Sequence, residues 1–313
     1  MTEPRARDGY SAQHQPGGEG AQVVLGFDAG WQLPHLLRIA AREAQLRGAG
    51  LSIVTVARPE QFRDVSQLLS LGGSEKDWWT WSASEVRRSQ RAAARKVRAQ
   101  HPDLPISLTY LGEGDVHPSG EPFTSATLLV LGGTNRYGRI PFGANSTGGL
   151  LMRAVNCPTL VVPGSELISQ TAGAGREHDD YDNGPVVAAV PAGDRGVEII
   201  REAEAEMSRR GGELQILRSF EPKTGETSSQ ARQNAAEEIS RQVEQAGVPT
   251  DTHWIAILSD QTPLAAVRQQ MTDAGVIVLG GSSVAADGPA IDAQTHDMLD
   301  SCPCLVLILP PGR

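Results

Sequence analysis

One stretch near the middle of the chain, residues 127–164, constrains the fold more than any other. It begins with an uninterrupted apolar run, residues 128–131, which predicts a buried parallel strand. The run ends at Gly132 and Gly133, where the backbone can turn sharply and lie close to a ligand. A polar loop that contains Arg136 follows. The sequence therefore predicts a strand that opens into a glycine loop.

The loop leads into a short helix and a further strand. Asn145 and Ser146 offer an N-cap to a helix that ends before Cys157 and Pro158. The apolar run at residues 159–162 then predicts another buried strand. Strand, glycine loop, helix and strand form a βαβ unit, and the N-terminus of its helix attracts anions.

The same pattern occurs twice in the chain. Glycine pairs begin at Gly132 and Gly280, which lie 148 residues apart, and Cys-Pro pairs begin at Cys157 and Cys302, which lie 145 residues apart. Two diverged copies of one domain explain both offsets. We predict a disordered tail, a first domain, a linker rich in small and acidic residues and a second domain, over residues 1–21, 22–163, 164–184 and 185–313.

Each copy alternates predicted strands with predicted helices. In the first copy the strands are predicted at residues 22–27, 51–57, 106–111, 128–131 and 159–162. In the second copy they are predicted at residues 186–190, 214–217, 254–258, 276–281 and 305–309. Residues 113–125 contain Pro118, Gly120 and Pro122, so we expect a short or irregular helix there.

One further segment, residues 60–82, has an unusual composition. Residues 60–82 hold Trp78, Trp79 and Trp81 ahead of a long helix marked from Val86 onward. This segment is interpreted either as a cover packed on the helices or as an exposed contact surface.

Composition excludes several classes of protein. The net charge of −9 argues against a general binder of nucleic acid or of anionic membranes. The first twenty residues are polar and no apolar run is long enough for a membrane span, so we expect neither a signal peptide nor a membrane segment. Three cysteines without a C-x-x-C pair predict a reduced, cytoplasmic chain. Strand alternation predicts that Cys302 and Cys304 point to opposite faces, which argues against a redox pair.

The glycine loop and its surroundings resemble the universal stress protein family. That family has a strand, the motif G-x2-G-x9-G-[ST], a helix, a Cys-Pro or similar pair and a Val-rich strand. The register here gives Gly132, Asn135, Asn145 and Ser146, so the first glycine and the serine match and two glycines are asparagine. Asparagine tolerates the left-handed backbone, but its side chain crowds the space of a phosphate.

The resemblance implies an α/β fold and an arrangement of the two copies. Each copy is expected to be a doubly wound, five-stranded parallel sheet of order 3-2-1-4-5 flanked by helices, with its site at the point where the strand order reverses. The last strand of each copy is expected at a sheet edge. We predict that these two edges pair within the chain about a pseudo-twofold axis, since a bare apolar edge promotes aggregation.

The resemblance also assigns a nucleotide site to the first copy. It implies that ATP binds there with Mg²⁺. Asp28 would hold the metal, Val56 would flank the adenine and Gly132 would contact the ribose. Asn135, Asn145 and Ser146 would surround the phosphates, and Arg136 and Arg139 could add positive charge. The alternative is a loop that only turns the chain. In the second copy Pro191 replaces the acidic residue and Ala290 and Ile291 replace the Asn-Ser pair, so we interpret that copy as a structural partner.

The function implied is that of a cytoplasmic regulatory or stress-survival protein. No catalytic residue is expected, because no nucleophile or general base stands in a recognisable pattern. The competing hypotheses are a nucleotide-free interaction scaffold that uses the Trp segment and the sheet edges, and a slow ATPase with Asp28 holding a metal. We expect a homodimer, and the sequence does not name a protein partner.

Overall fold

The computed structural model describes residues 20–27, 33–57, 75–132, 146–163, 184–281, 291–299 and 301–311. The predicted N-terminal tail up to residue 19, most of the linker and residues 133–145 of the glycine loop lie outside the described residues.

The first half of the chain alternates strands and helices as predicted. Its elements are β1 (Gln22–Gly26), α1 (Leu33–Leu46), β2 (Gly50–Ala57), α2 (Glu75–Gln100), β3 (Ile106–Gly112), β4 (Ala126–Gly132), α3 (Thr147–Ala154) and β5 (Thr159–Val162). Between β3 and β4 the chain forms only a 3-10 turn, Glu113–Asp115, followed by turns, which confirms the prediction of an irregular connection.

The second half repeats this order. Its elements are β6 (Val186–Ala189), α4 (Asp194–Arg210), β7 (Leu214–Ser219), α5 (Ser228–Ala246), β8 (Trp254–Ser259), α6 (Pro263–Gln270), β9 (Val276–Gly280), α7 (Ala293–Leu299) and β10 (Leu305–Leu309).

The prediction that the long helix of the first half starts near Val86 is wrong. α2 begins at Glu75, so Trp78, Trp79 and Trp81 lie within its first two turns. Residues 75–85 contain neither glycine nor proline, and nothing in their sequence stops a helix from extending backwards. The side chains of these tryptophans lie outside the described residues.

The ten strands form one sheet in the order β3-β2-β1-β4-β5-β10-β9-β6-β7-β8. Each half has the predicted order 3-2-1-4-5, and its strands are parallel. The halves meet where β5 and β10 pair antiparallel, with Leu307 opposite Leu160 and Ile308 opposite Thr159. The predicted edge pairing within the chain is confirmed.

Helices cover both faces of the sheet. α1, α2, α4 and α5 pack on one face through small and branched side chains such as Ala40, Ala93, Ile199 and Ile239. α3, α6 and α7 pack on the other face, where Leu151 is fully buried. Burial on both faces explains why the central strands read as continuous apolar runs.

A buried ion-pair cluster joins the two halves on the first of these faces. Arg47 of α1 bonds Glu43 on its own helix and Glu206 on α4, and Arg210 of α4 bonds Glu206 on its own helix and Glu43 on α1. The side chain of Arg47 is 8% exposed and the other three are at most 2% exposed. We call these four residues the Glu-Arg quartet.

The two carboxylates of the quartet stabilise the charged form of Arg210. Burial alone lowers the pKa of the Arg210 guanidinium, but the carboxylates of Glu43 and Glu206 outweigh burial and raise that pKa above its ordinary value. The sequence analysis missed the quartet. Its signal was a Glu-x3-Arg pair on the first helix of each copy, Glu43 with Arg47 and Glu206 with Arg210.

Replacing Leu307 by proline removes a backbone N–H donor from a strand that is paired on both sides. We expect the free energy of unfolding to fall by about 1 to 3 kcal/mol, the cost of a buried acceptor left without its donor. Both halves should unfold in one transition, because β10 is the last strand of the second half and also the neighbour of β5 in the first half. Urea unfolding followed by circular dichroism measures both quantities. Two separated transitions, with one half unchanged from the wild type, would contradict the shared junction.

Replacing Arg210 by methionine leaves two buried carboxylates without this partner. We expect a loss of about 3 to 5 kcal/mol, the usual cost of breaking a buried pair from one side. Arg209 is the matched control, since it also bonds Glu206 but is 30% exposed. Arg209→Met should cost less than about 1 kcal/mol. Equal losses for the two variants in denaturant titrations would show that the quartet is not the stabilising feature.

Candidate functional site

The strand order of the first half reverses between β1 and β4. α1, which follows β1, packs on one face of the sheet, and α3, which follows β4, packs on the other. The carboxyl ends of these strands, Gly26 and Gly132, therefore border a crevice between diverging connections. This is the position at which open α/β sheets bind their ligands.

Gly26 allows α3 to approach the end of β1 closely. A Cβ atom at this position would lie 2.5 Å from Cδ2 of Leu131 and 2.8 Å from Cδ1 of Leu151. Both leucines are buried, so a side chain here would force them to shift within a packed core, and glycine avoids this cost. The sequence analysis did not single out Gly26. The close packing brings Leu151 of α3 against the end of β1.

Gly132, the first glycine of the motif, is less confined. A Cβ atom here would lie 3.5 Å from Cδ2 of Leu36, which is ordinary van der Waals contact. As far as the described residues show, a larger side chain is therefore accommodated at its root.

Ser146 is the N-cap of α3, as predicted. Its backbone is extended, with φ −88° and ψ 156°, and its Oγ accepts a hydrogen bond of 2.9 Å from the backbone N–H of Gly149. Its carbonyl oxygen accepts the bond from Leu150 N that closes the first turn. Gly148 and Gly149 are buried in that turn, and they carry no side chain that would cover the helix N-terminus.

Val56 lies one residue before the end of β2, beside Leu111 of β3. Its side chain is 2% exposed and belongs to the apolar cluster on the α3 face. Its role beside an adenine ring stays a prediction. Asp28, Asn135, Arg136, Arg139 and Asn145 lie outside the described residues, so the structure does not place them.

The crevice of the second half is occupied by protein. Gly280 corresponds to Gly132, and the guanidinium of Arg195 lies across it, with Nε 2.9 Å from the position of a Cβ atom. Arg195 Nη2 donates to the carbonyl oxygens of Leu309 and Pro310 at 3.3 and 2.6 Å. The arginine thus donates to the strand-end carbonyls and fills the space beside Gly280.

Side-chain hydrogen bonds also hold the loop after β6. Gln242 of α5 donates to the carbonyl oxygens of Pro191 and Gly193 at 3.0 and 2.8 Å. The N–H of Gly193, whose φ is +79°, donates to Glu238 at 3.2 Å. A hydrogen bond from Arg241 lowers the pKa of the Glu238 carboxyl, which keeps it an ionised acceptor. Side chains of α5 therefore hold the loop that would receive a ligand.

Sequence reasoning predicted that the second half lacks the acidic residue and the hydroxyl, but it did not predict that Arg195 and Gln242 hold the strand end and the loop there. Both residues bond to residues more than 45 positions away in the sequence, and no local sequence pattern predicts these contacts.

The described residues contain neither a candidate metal cluster nor a membrane-spanning helix. Within that part of the chain, no group of three or more His, Cys, Asp or Glu side chains could hold a metal ion. No described helix is long and apolar enough to cross a membrane.

Comparison with known proteins shows the fold. No family model matches the sequence, and no curated protein matches it either. A universal stress protein from Archaeoglobus fulgidus DSM 4304 is 12% identical with a TM-score of 0.56, and the match covers 93% of this chain and 96% of that one. A functionally unknown protein from Pseudomonas aeruginosa PAO1 is 15% identical with a TM-score of 0.53, covering 93% and 92%. The chain therefore has the fold of these proteins over nearly its whole length.

Arg195→Ala removes the donor shared by Leu309 and Pro310. We expect the free energy of unfolding to fall by about 1 to 2 kcal/mol, because two carbonyl groups lose a charged donor. Arg201→Ala is the control, since Arg201 lies on the same helix and makes one exposed contact of 3.5 Å with Gln245 O. Chemical denaturation of both variants checks this, and an equal effect would show that Arg195 does not hold the strand end.

Proposed function

We propose that the protein is a universal stress protein that binds ATP with Mg²⁺ in its first half only and has a regulatory role in stress survival. The observation that supports this proposal is the difference between the two crevices. Arg195 covers Gly280 in the second half. Among the described residues, the atom nearest to a Cβ placed at Gly132 is Cδ2 of Leu36, at 3.5 Å.

The described residues of the first crevice fit a nucleotide. The N-terminus of the helix capped by Ser146 carries the positive end of the helix dipole, which attracts an anion, and glycines in its first turn allow phosphate oxygens to come close. Gly132 at the end of β4 would lie beside the ribose, and the adenine would lie at the end of β2, next to the buried Val56. ATP brings an adenine, a ribose and a chain of phosphates to these three places.

The remaining contacts are proposed from the sequence. Asp28 would hold Mg²⁺, which offsets the repulsion between its carboxylate and a triphosphate. Asn135 and Asn145 would lie beside the phosphates, with Arg136 and Arg139 supplying positive charge. This set contains no general base, so we propose that the nucleotide acts as a regulatory ligand. Slow hydrolysis at a metal held by Asp28 is the lesser alternative.

A second candidate is a nucleotide-free interaction scaffold. The observation that favours it is the position of Trp78, Trp79 and Trp81 in the first two turns of α2. Tryptophan is enriched in the centres of protein interfaces. Such a scaffold, like the regulatory protein, would work in the cytoplasm as a homodimer and without nucleic acid. The described cysteines are all free thiols, which suits a reducing compartment.

Calorimetry with ATP and Mg²⁺ tests the proposed site. Gly132→Val should weaken binding about tenfold or more, a loss of about 1.4 kcal/mol, because the added methyl groups extend into the crevice. Asp28→Ala should also weaken it and reduce its dependence on Mg²⁺. Pro191→Ala in the second half is the matched control and should leave the dissociation constant unchanged. An equal loss from Pro191→Ala would refute the assignment to the first half.

Two substitutions that should increase the affinity for ATP provide a second test. Replacing Asn135 and Asn145 by glycine should tighten binding, because both side chains crowd the phosphate space in the proposed register. Mass spectrometry of ligand released from the purified, denatured protein distinguishes the two candidate functions. Absence of nucleotide there, together with no heat of binding, would favour the scaffold.

A further inference from the structure

The segment Cys302-Pro303-Cys304 holds two thiols in contact. The two Sγ atoms are 3.4 Å apart, and Cys302 Sγ lies 3.5 Å from the carbonyl oxygen of Cys304. The prediction that they point to opposite faces is wrong, because β10 starts only at Leu305 and the tripeptide does not have the alternation of a strand. The pair therefore has the proximity that a disulfide requires.

The surroundings of the pair are apolar and tight. Cys302 is 1% exposed and Cys304 is 2% exposed, and both pack in the cluster that contains Met298 and Leu299 of α7. The backbone N–H of Cys302 donates to the carbonyl oxygen of Leu299, which ties the tripeptide to the end of that helix. Because both thiols are buried, a bulky reagent does not reach them in the folded protein. A small oxidant reaches them directly or during a brief local opening of the chain.

The first half supplies an internal comparison. Cys157 occupies the place of Cys302, and Thr159 occupies the place of Cys304. Burial raises the pKa of the lone Cys157 thiol to about 12. At Cys302 the hydrogen bond from Cys304 outweighs burial and lowers the pKa of the thiol. The second thiol thus changes the chemistry of a position that is otherwise an inert core cysteine.

We propose that Cys302 and Cys304 are a reversible dithiol–disulfide pair, oxidised by a hydroperoxide and reduced by a dithiol. The Cys302 thiolate attacks one oxygen of hydrogen peroxide, so that an S–O bond forms, the O–O bond breaks and the departing hydroxide takes up a proton as water. The sulfur of Cys304 then attacks the sulfenic acid, so that an S–S bond forms, the S–O bond breaks and a second water leaves with the Cys304 proton.

The electrons balance in both directions. Two thiols lose two electrons in total, and one peroxide becomes two waters. A dithiol such as dithiothreitol restores the pair by two exchange steps and becomes a cyclic disulfide. The pair lies directly before β10, the strand on which the two halves meet, so a disulfide would form next to this junction.

The test uses the full-length protein and hydrogen peroxide. After oxidation and removal of peroxide, the intact mass should be lower by two hydrogen atoms, and alkylation under denaturing conditions should label Cys157 alone. Dithiothreitol should restore labelling of all three cysteines. Peptide mapping should find the bridge within the single peptide that carries Cys302 and Cys304.

Two variants provide the controls. Cys157→Ser should still lose two hydrogen atoms. Cys304→Thr, which carries the residue that the first half has at Thr159, should instead gain oxygen at Cys302 and label with a sulfenic-acid reagent. Full alkylation of three cysteines after oxidation, a bridge between two chains, or loss of two hydrogen atoms in Cys304→Thr would each overturn the proposal. If Cys304→Thr does not fold, the wild-type peptide map decides alone.

Discussion

The pairing of β5 with β10 is the interaction on which the rest of the architecture depends. It turns two five-stranded sheets into one sheet of ten strands and brings α1 and α4 side by side on one face. The Glu-Arg quartet then has to be complete, because four charges buried at this contact are tolerable only when each has its partners. Neither half contains a full set, since Glu43 needs Arg210 and Glu206 needs Arg47.

The antiparallel junction also decides where the two crevices lie. Strands within each half are parallel, so all their carboxyl ends meet at one edge of the sheet. Because β5 and β10 run in opposite directions, the carboxyl ends of the first half and those of the second lie at opposite edges. The halves therefore cannot share one ligand, and each crevice is built from its own loops. This separation allows Arg195 to fill one crevice without any effect on the shape of the other.

The sequence predicted what depends on local pattern. The apolar runs gave the strands, the Asn-Ser pair gave the N-cap of α3, and the spacing of the glycine and Cys-Pro pairs gave the repeat. The start of α2 was missed because residues 75–85 carry no stop signal. Three features could not be predicted in this way. The Glu-Arg quartet and the contact of Arg195 with Gly280 depend on how distant parts of the chain pack together. The contact between Cys302 and Cys304 depends on where β10 begins, which the apolar pattern does not define.

The filled crevice of the second half and a ligand site in the first half would have different consequences for stability. In the second half, Arg195 and Gln242 supply the hydrogen bonds of the strand end and of the loop from within the chain, so that half is stabilised at all ligand concentrations. A ligand in the first half would stabilise only the folded state, by mass action. Because both halves depend on β5 and β10, stability gained in one half is shared by the junction. The arrangement therefore connects occupancy of a single crevice to the cohesion of the whole chain.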